Sequence, residues 1–283
     1  MNEKSPCDFT VVTPSFNMLD YLRRCCASVD DQRGVSVQHL VVDGGSVDGS
    51  AEWLRAQRPR GSIIEPDDGM YDALNKGLER ARGDFVCCLN SDEQYLPDAL
   101  ARAKAYFSAH PDTDVLFGGI LLVRPDGTLI AHRKPYAVRA LYIRHSHLYV
   151  APAAMFLRRH VVAGGLRFDK SYRTIGDMIF VLDILARRYR VACDARFYTA
   201  FTQRGGNLGA SDQAARELAA FHRRELGAWR LASPLVNCCR RIEKLVAGGF
   251  RVPRPLRYAL VDGAGKRRRE FAALRADFRW RAG

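Results

Sequence analysis

The chain has 283 residues, of which 47% are hydrophobic, enough for a folded core rather than a disordered chain. Residues 222–283 contain 16 Lys and Arg against 5 Asp and Glu, so +11 of the total formal charge of +13 lies in this C-terminal tail. We identify no signal peptide and no run of the roughly 18 apolar residues that a membrane span requires.

The eight cysteines include three adjacent pairs, at positions 25–26, 87–88 and 238–239. This spacing fits neither a CxxC zinc site nor a disulfide framework. Reduced cysteines acting as small apolar residues are typical of a reducing compartment, so we expect a cytoplasmic protein.

The first 120 residues alternate between strand-like and helix-like patterns. Helical spacing follows each of the first four strands, and short loops connect the elements. This alternation predicts an α/β fold with a mainly parallel sheet flanked by helices. The predicted strands are Phe9–Thr13, His39–Val42, Ser62–Ile64, Phe85–Leu89 and Val115–Phe117.

The pattern changes after this point. Residues 120–123 and 129–131 flank the turn RPDGT and predict a hairpin, and residues 135–176 are irregular. A helix over 178–186, a strand over 198–202 and a helix over 212–229 follow. We therefore predict one domain over 1–210, with halves 1–118 and 119–210, and a basic helical appendage over 211–283.

Polar residues follow the first four predicted strands. Thr13, Ser15 and Asn17 follow the first strand and Asp43 the second. Acidic residues also follow the third and fourth strands, as Asp67-Asp68 and Asp92-Glu93. Because ligands bind beyond the carboxyl ends of parallel strands, we expect these side chains to share one site. A solvated turn is the simpler interpretation of any one of them.

Four segments resemble the successive motifs of family-2-type glycosyltransferases with the GT-A fold. They are FTVVTPSFN, HLVVDGGSVDGS, PDDGMYDALNKGLERARGDFVCCLNSDE and FDKSYRTIGDMIFVLDIL, in the family's order over residues 8–208. GMYDALNKG resembles the members that build bacterial surface polysaccharides. Dinucleotide-binding and P-loop classes lose support, because neither GxGxxG nor GxxxxGK[ST] occurs where those folds need it.

The resemblance implies a set of donor-binding residues. The loop after the first strand and the aspartate after the second would hold the nucleotide, and the segment after the third strand would approach the base and the sugar diphosphate. By this resemblance the donor would be a UDP-, GDP- or dTDP-sugar. The implied positions are Thr13, Pro14, Ser15, Asn17, Asp43, Asp68, Tyr71, Asp72, Asn75, Lys76, Ser91 and Asp92.

The resemblance also implies a metal and a base. The family's DxD-type motif matches Ser91-Asp92-Glu93, so Asp92 and Glu93 would bind Mg²⁺ or Mn²⁺, with glutamate where aspartate is commoner. A hard cation held there could neutralise the leaving diphosphate. Inverting transfer needs a general base, and the matching motif retains one acid, Asp177. Arg204 and Asn207, in TQRGGN, are candidate contacts for phosphate or acceptor.

The function implied by the resemblance is inverting transfer of a sugar to a polysaccharide or lipid-linked acceptor. The missing QxxRW signature favours single additions. One alternative is a sugar-phosphate nucleotidyltransferase, but the loop after the first strand contains no basic residue. Another is a nucleic-acid-binding protein, which the basic tail suggests but the acidic strand ends do not, so we expect no nucleic acid partner.

The basic tail suits an anionic surface. Aromatic residues are interleaved with its positive charges, a pattern that predicts peripheral contact with the inner face of an anionic membrane. A solvated basic face or an oligomer contact is the alternative. The aromatic residues are Trp229, Phe250, Tyr258, Phe271, Phe278 and Trp280.

Overall fold

A computed structural model describes residues 7–58, 61–204, 211–263, 267–275 and 277. Its elements begin with the predicted alternation of strands and helices. Apolar spacing explains the helices: α1, for example, buries Leu22, Cys25, Cys26 and Val29 on one face. The elements up to residue 123 are β1 (Phe9–Ser15), α1 (Leu19–Asp30), β2 (Val37–Asp43), α2 (Ser50–Gln57), β3 (Ser62–Ile64), α3 (Met70–Glu79), β4 (Phe85–Cys88), β5 (Glu93–Tyr95), α4 (Ala99–Ala109) and β6 (Val115–Val123).

The second half contains more regular structure than the sequence predicted. The segment 135–176, expected to be irregular, contains two short helices and a strand. The remaining elements are β7 (Leu129–Arg133), α5 (Ala140–His145), β8 (Met155–Arg158), α6 (Arg159–Ala163), α7 (Gly176–Ala186), β9 (Val191–Thr202), α8 (Asp212–Leu226), α9 (Ser233–Val246), β10 (Leu256–Val261) and β11 (Arg268–Ala273).

The main sheet has the strand order β3-β2-β1-β4-β8-β6-β9-β5, with β7 paired to β6. Of the nine strands that this sheet has in the described part of the chain, β1, β2, β3, β4, β6 and β9 run in one direction and the other three run against them. The prediction of a mainly parallel α/β sheet is confirmed. Strand β8, which the sequence did not predict, lies between β4 and β6 and separates two parallel groups.

Both faces of the sheet are covered. Alternate side chains point to opposite faces, so Val12, Cys88 and Phe117 pack in one cluster while Val11, Cys87 and Leu116 pack in the other. The first cluster includes residues of α3 and α7, and the second includes residues of α1 and α4. A close contact fixes α3 against β1, because a Cβ at Gly77 would lie 2.2 Å from Val12 Cγ1.

The appendage is helical only in its first part. Beyond α9, strands β10 and β11 form an antiparallel hairpin that was not predicted. Leu256, Tyr258 and Leu260 of β10 pack with Leu121 and Val123 of β6, so the hairpin is docked on the sheet. In the described residues, no helix combines the length and apolar character needed to cross a membrane.

Candidate active site

A cavity of about 1180 Å³ opens beyond the carboxyl ends of β1–β4. Its lining comes from several separate segments of the chain, four of which carry most of the predicted site residues. These are the end of β1, the loop between β3 and α3, the loop after β4, and the first turn of α7. The predicted site residues that line it are Pro14, Ser15, Asp68, Tyr71, Ser91, Asp92, Glu93, Asp177 and Arg204.

The loop after β4 places two adjacent carboxyl groups in this cavity. Asp92 and Glu93 are both buried. Asp92 Oδ2 accepts a hydrogen bond from Arg204 Nε at 3.1 Å. Glu93 Oε2 accepts one from the backbone N of Asn90 at 2.7 Å. Burial, followed by the charge of Asp92, raises the pKa of Glu93 to about 8. In the absence of a bound cation, this environment favours the protonated form of Glu93, and Asp92 is the carboxyl group of the pair that forms an ion pair with Arg204.

These residues fit a divalent cation held mainly by Asp92. Mg²⁺ is commonly bound by one or two carboxylates together with substrate phosphates and water, rather than by a complete protein cage. Across the residues that the structure describes, no group of three or more His, Cys, Asp or Glu side chains could hold a metal on its own. A cation here would need oxygen ligands from the donor.

Asp177 lies in the first turn of α7 and is partly accessible from the cavity. Its Oδ1 accepts a hydrogen bond from the backbone N of Met178 at 2.8 Å. Burial raises the pKa of Asp177 to about 6. The group is therefore mostly ionised at pH 7 while retaining appreciable basicity, which suits a general base.

The structure explains why only one acid remains in this motif. The hydroxyl oxygen of Tyr71 accepts a hydrogen bond from the backbone N of Asp177 at 3.2 Å. A Cβ at position 176 would lie 2.6 Å from the Tyr71 ring. Tyr71 therefore occupies the space that a side chain at Gly176 would need. Burial also raises the pKa of Tyr71.

The cavity lining also includes residues that the sequence analysis did not propose, among them Arg133, His147 and Arg173. The guanidinium of Arg133, at the end of β7, favours the ionised form of Asp177. It therefore offsets part of the rise in the pKa of Asp177 that burial causes. Arg173 Nη1 donates a hydrogen bond to the backbone O of Asp68. Arg133 lies two residues beyond the predicted hairpin strand 129–131, and nothing in its spacing distinguishes it from a surface arginine.

Three predicted nucleotide contacts turn away from the cavity. Thr13 is buried, and its Oγ1 lies 2.9 Å from Nε2 of His39. Asn17 Oδ1 accepts a hydrogen bond from the backbone N of Val47 at 2.8 Å. Asp43 accepts bonds from the backbone N and the hydroxyl of Ser46, at 2.8 and 2.7 Å. These side chains shape the loops after β1 and β2 without lining the cavity.

Three of the predicted residues on α3 also form bonds within the protein. Lys76 Nζ donates to the backbone O of Pro66 at 2.7 Å, and Asp72 pairs with Lys170 at 2.8 Å, an interaction that lowers the pKa of Asp72. The side chain of Asn75 makes two hydrogen bonds to the backbone of Phe168, at 2.8 and 2.9 Å. None of these three side chains lines the cavity.

The remaining predicted positions are part of the rim or cannot be placed. Ser91 Oγ donates to the backbone O of Pro14 at 2.8 Å, which joins the loops after β4 and β1. Ser15 Oγ is buried and has no hydrogen-bond partner among the described residues. It is thus a polar group on the cavity wall that a ligand could satisfy. Asn207 lies outside the described residues.

The fold resembles solved glycosyltransferase structures. S. aureus TarS 1-349 in complex with UDP-GlcNAc superposes with a TM-score of 0.59 at 18% identity, over 87% of this chain and 76% of that one. The mannosyltransferase PcManGT from Pyrobaculum calidifontis, in complex with GDP-Man and Mn²⁺, gives 0.53 at 16% identity, over 89% and 80%. These likenesses confirm the GT-A fold.

Sequence relatives agree with this fold. An uncharacterized glycosyltransferase of Mycobacterium tuberculosis is 38% identical over 113 residues, which are 38% of this chain and 43% of that protein. A PGL/p-HBAD biosynthesis glycosyltransferase of the same organism is 29% identical over 120 residues, 40% of this chain and 47% of that one. The matched region spans less than half the length of these two relatives.

The sequence model of the family "Glycosyl transferase family 2" matches residues 10–166, which is more than half of the chain. This range contains β1–β4, the Asp92 loop and the tyrosine that positions the start of α7. The chain therefore belongs to glycosyltransferase family 2.

Proposed function

We propose that this protein transfers a sugar from a nucleotide-diphosphate-sugar to an acceptor hydroxyl with inversion of anomeric configuration. One observation carries the proposal: Asp92 and Asp177, from distant parts of the chain, line the same cavity at the carboxyl end of the sheet. Such a cavity can hold a donor diphosphate near the first carboxylate and an acceptor hydroxyl near the second.

The role proposed for Asp177 is to accept the proton of the acceptor hydroxyl. Its pKa of about 6 leaves the carboxylate ionised at neutral pH. The Tyr71 hydroxyl holds the backbone at the start of α7, and Arg133 stabilises the ionised carboxylate. As the acceptor oxygen attacks the anomeric carbon, its proton would move to Asp177 and the nucleoside diphosphate would leave.

The proposed donor is a UDP-, GDP- or dTDP-sugar. Two structural neighbours were solved in complex with UDP-GlcNAc and with GDP-Man and Mn²⁺, respectively. We place Mg²⁺ or Mn²⁺ beside Asp92, where such a cation would neutralise charge on the leaving diphosphate. Arg204, which pairs with Asp92, would contact the same phosphates.

The acceptor is proposed to be a glycan or a lipid-linked saccharide, with the protein at the inner face of a membrane. The cavity is larger than many small-molecule sites, and Leu148, Val150 and Pro152 contribute an apolar wall to it. Such a wall suits a sugar ring or the start of a lipid chain. The charge of the tail, +11 over residues 222–283, suits an anionic lipid surface.

The test combines donor binding with product analysis. UDP-GlcNAc, GDP-Man and a dTDP-sugar are each added to the purified chain, and melting temperature is measured with Mn²⁺ or with EDTA. We expect at least one donor to raise the melting temperature only with the cation. With that donor and a panel of saccharide acceptors, NMR of the product should show the opposite anomeric configuration. Retention of configuration would refute the inverting mechanism.

A further inference from the structure

Helix α9 turns its polar face toward the rest of the protein. Asn237 Nδ2 donates a hydrogen bond to the backbone O of His145 at 3.1 Å, and Arg240 Nη1 donates to the Tyr136 hydroxyl at 3.0 Å. Glu243 forms an ion pair with Arg139 at 2.8 Å. Polar contacts on positions 237, 240 and 243 therefore attach this helix to the domain.

The opposite side of α9 is apolar and exposed. Leu235 is 69% exposed, Ile242 56%, Leu245 63% and Val246 83%. Exposed Cys238 and Cys239 fill the gap between positions 235 and 242, which completes a stripe at helical spacing. We call this stripe, together with Trp229 and Leu231 of the preceding 3₁₀ turn Gly227–Ala232, the outer face. Trp229 is 77% and Leu231 88% exposed.

This arrangement is the reverse of the usual one. A surface helix of a globular protein normally buries its apolar stripe and exposes its polar side. Here six of the ten large hydrophobic residues exposed in the described part of the chain lie within residues 229–246. A contiguous exposed apolar patch of this kind marks a surface that contacts something else.

The charges around the outer face indicate what covers it. Residues 222–258 contain nine Lys and Arg against two Asp and Glu, a net charge of +7. A second copy packed face to face would bring these positive charges together, whereas anionic headgroups would neutralise them. Exposed arginines beside or beyond the stripe are Arg223, Arg230, Arg241, Arg251, Arg254 and Arg257.

We propose that the outer face of α9 lies in the headgroup region of an anionic lipid membrane, with the helix parallel to the surface. Interfacial helices of this type insert Trp and Leu side chains by several ångströms while Arg and Lys contact the phosphates. Trp229 is an exposed member of the predicted aromatic tail set, whereas Phe250 is half-buried with Lys244 Nζ 4.6 Å from its ring centroid. Tyr258 and Phe271 stack on each other with ring centroids 5.3 Å apart, and Phe278 and Trp280 lie outside the described residues.

The position of α9 relates the membrane to the cavity. The Oγ of its first residue, Ser233, lies 3.0 Å from Nδ1 of His145. His147, two residues after His145, lines the cavity. The outer face would therefore hold the Arg133 side of the cavity near the lipid surface. This consequence for a lipid-linked acceptor rests on the proposed function, but lipid binding by α9 does not.

Vesicle flotation of the full-length protein tests the inference. Vesicles contain either phosphatidylcholine alone or phosphatidylcholine with 30% phosphatidylglycerol. The test variant is Ile242→Glu/Leu245→Glu, and the matched control is Leu274→Glu, which changes an equally exposed leucine (75%) outside α9. Leu231→Glu in the 3₁₀ turn is a second test variant in case the double variant does not fold.

We expect wild type and Leu274→Glu to bind anionic vesicles at least tenfold more strongly than neutral ones. Both outer-face variants should lose at least tenfold of that binding, and Trp229 fluorescence should shift to the blue only when binding occurs. Unchanged binding by the outer-face variants would overturn the inference. So would a wild-type dimer that these variants convert to a monomer without vesicle binding. Transfer to a water-soluble acceptor should survive these substitutions, so failure of either proposal can be recognised separately.

Discussion

Replacing Asp177 by Asn removes the proposed base with almost no change in shape. The Oδ1 of Asn can still accept the hydrogen bond from the backbone N of Met178, which is 2.8 Å long in the wild type, so this contact in the first turn of α7 is preserved. A positioned general base typically contributes 10²–10⁴-fold in rate. We therefore expect Asp177→Asn to lose about 10²–10⁴-fold in kcat, with donor binding unchanged.

The same substitution should not destabilise the fold. Burial raises the pKa of Asp177 from 3.8 to about 6, so the folded state disfavours the ionised form. A shift of this size corresponds to at most about 3 kcal/mol, and water in the cavity reduces it. The folded protein binds more protons than the unfolded chain between these pH values, so this penalty is absent below pH 4 and complete above pH 6. The uncharged Asn side chain does not incur it.

Two measurements separate catalysis from structure. Release of the nucleoside diphosphate in the presence of acceptor gives kcat, and urea unfolding at pH 4 and pH 7.5 gives stability. We expect the variant to be inactive, equal to wild type in stability at pH 4, and as stable or more stable at pH 7.5. Wild-type kcat should rise as pH increases through about 6. Near-normal turnover of Asp177→Asn, or its unfolding at pH 7.5, would refute the assignment.

Three further substitutions test other parts of the structure. Asp92→Asn should weaken donor binding, measured by calorimetry, in Mn²⁺ but not in EDTA, and Glu93→Gln should have a smaller effect. Equal effects of the two substitutions would contradict the assignment of the charge to Asp92. Asn75→Ala should lower the free energy of unfolding by about 1–3 kcal/mol, because it removes two hydrogen bonds to Phe168, and should leave the Mn²⁺ dependence of donor binding unchanged. Arg268→Ala should lower the free energy of unfolding in urea by about 2 kcal/mol, because the Arg268 guanidinium joins the C-terminal hairpin to the Asp31 carboxylate by hydrogen bonds of 2.5 and 2.6 Å. An unchanged unfolding midpoint would show that apolar packing alone docks the hairpin.

Local patterns were sufficient for the first half of the fold. Ser62–Ile64 was predicted with its observed bounds, and β1, β2 and β4 differ from prediction by a few residues. These strands are short, apolar and separated by amphipathic helices, so each carries its own signal. Strand β8 was missed because residues 155–158 are buried on both faces within a segment that lacks periodicity. The hairpin β10–β11 was missed because its arginine content resembles a solvated tail.

The candidate site was predicted in position but only partly in detail. Strand order brings the loops after β1, β3 and β4 together, and the sequence indicates this because parallel strands end at one edge. Whether a side chain enters the cavity depends on rotamers and on partners elsewhere in the chain. Asp43 was expected to face the ligand, but its carboxylate is taken up by the turn that follows it. Arg133 enters the cavity because β7 pairs with β6, and the hairpin pattern does not reveal which face of β7 would be inward.

Helix α3 shows how one motif serves two purposes. Its residues at i and i+4 lie on the same face, so Tyr71 and Asn75 form one pair and Asp72 and Lys76 another. The first pair contacts the segment 168–177, which leads to the proposed base. The second pair lies 3.4 Å apart and braces the loop between β3 and α3. Four polar residues in six positions thus fix two walls of the cavity in relation to each other, although Tyr71 is the one whose side chain lines it. Their clustering in the sequence therefore reflects the contacts that build the site.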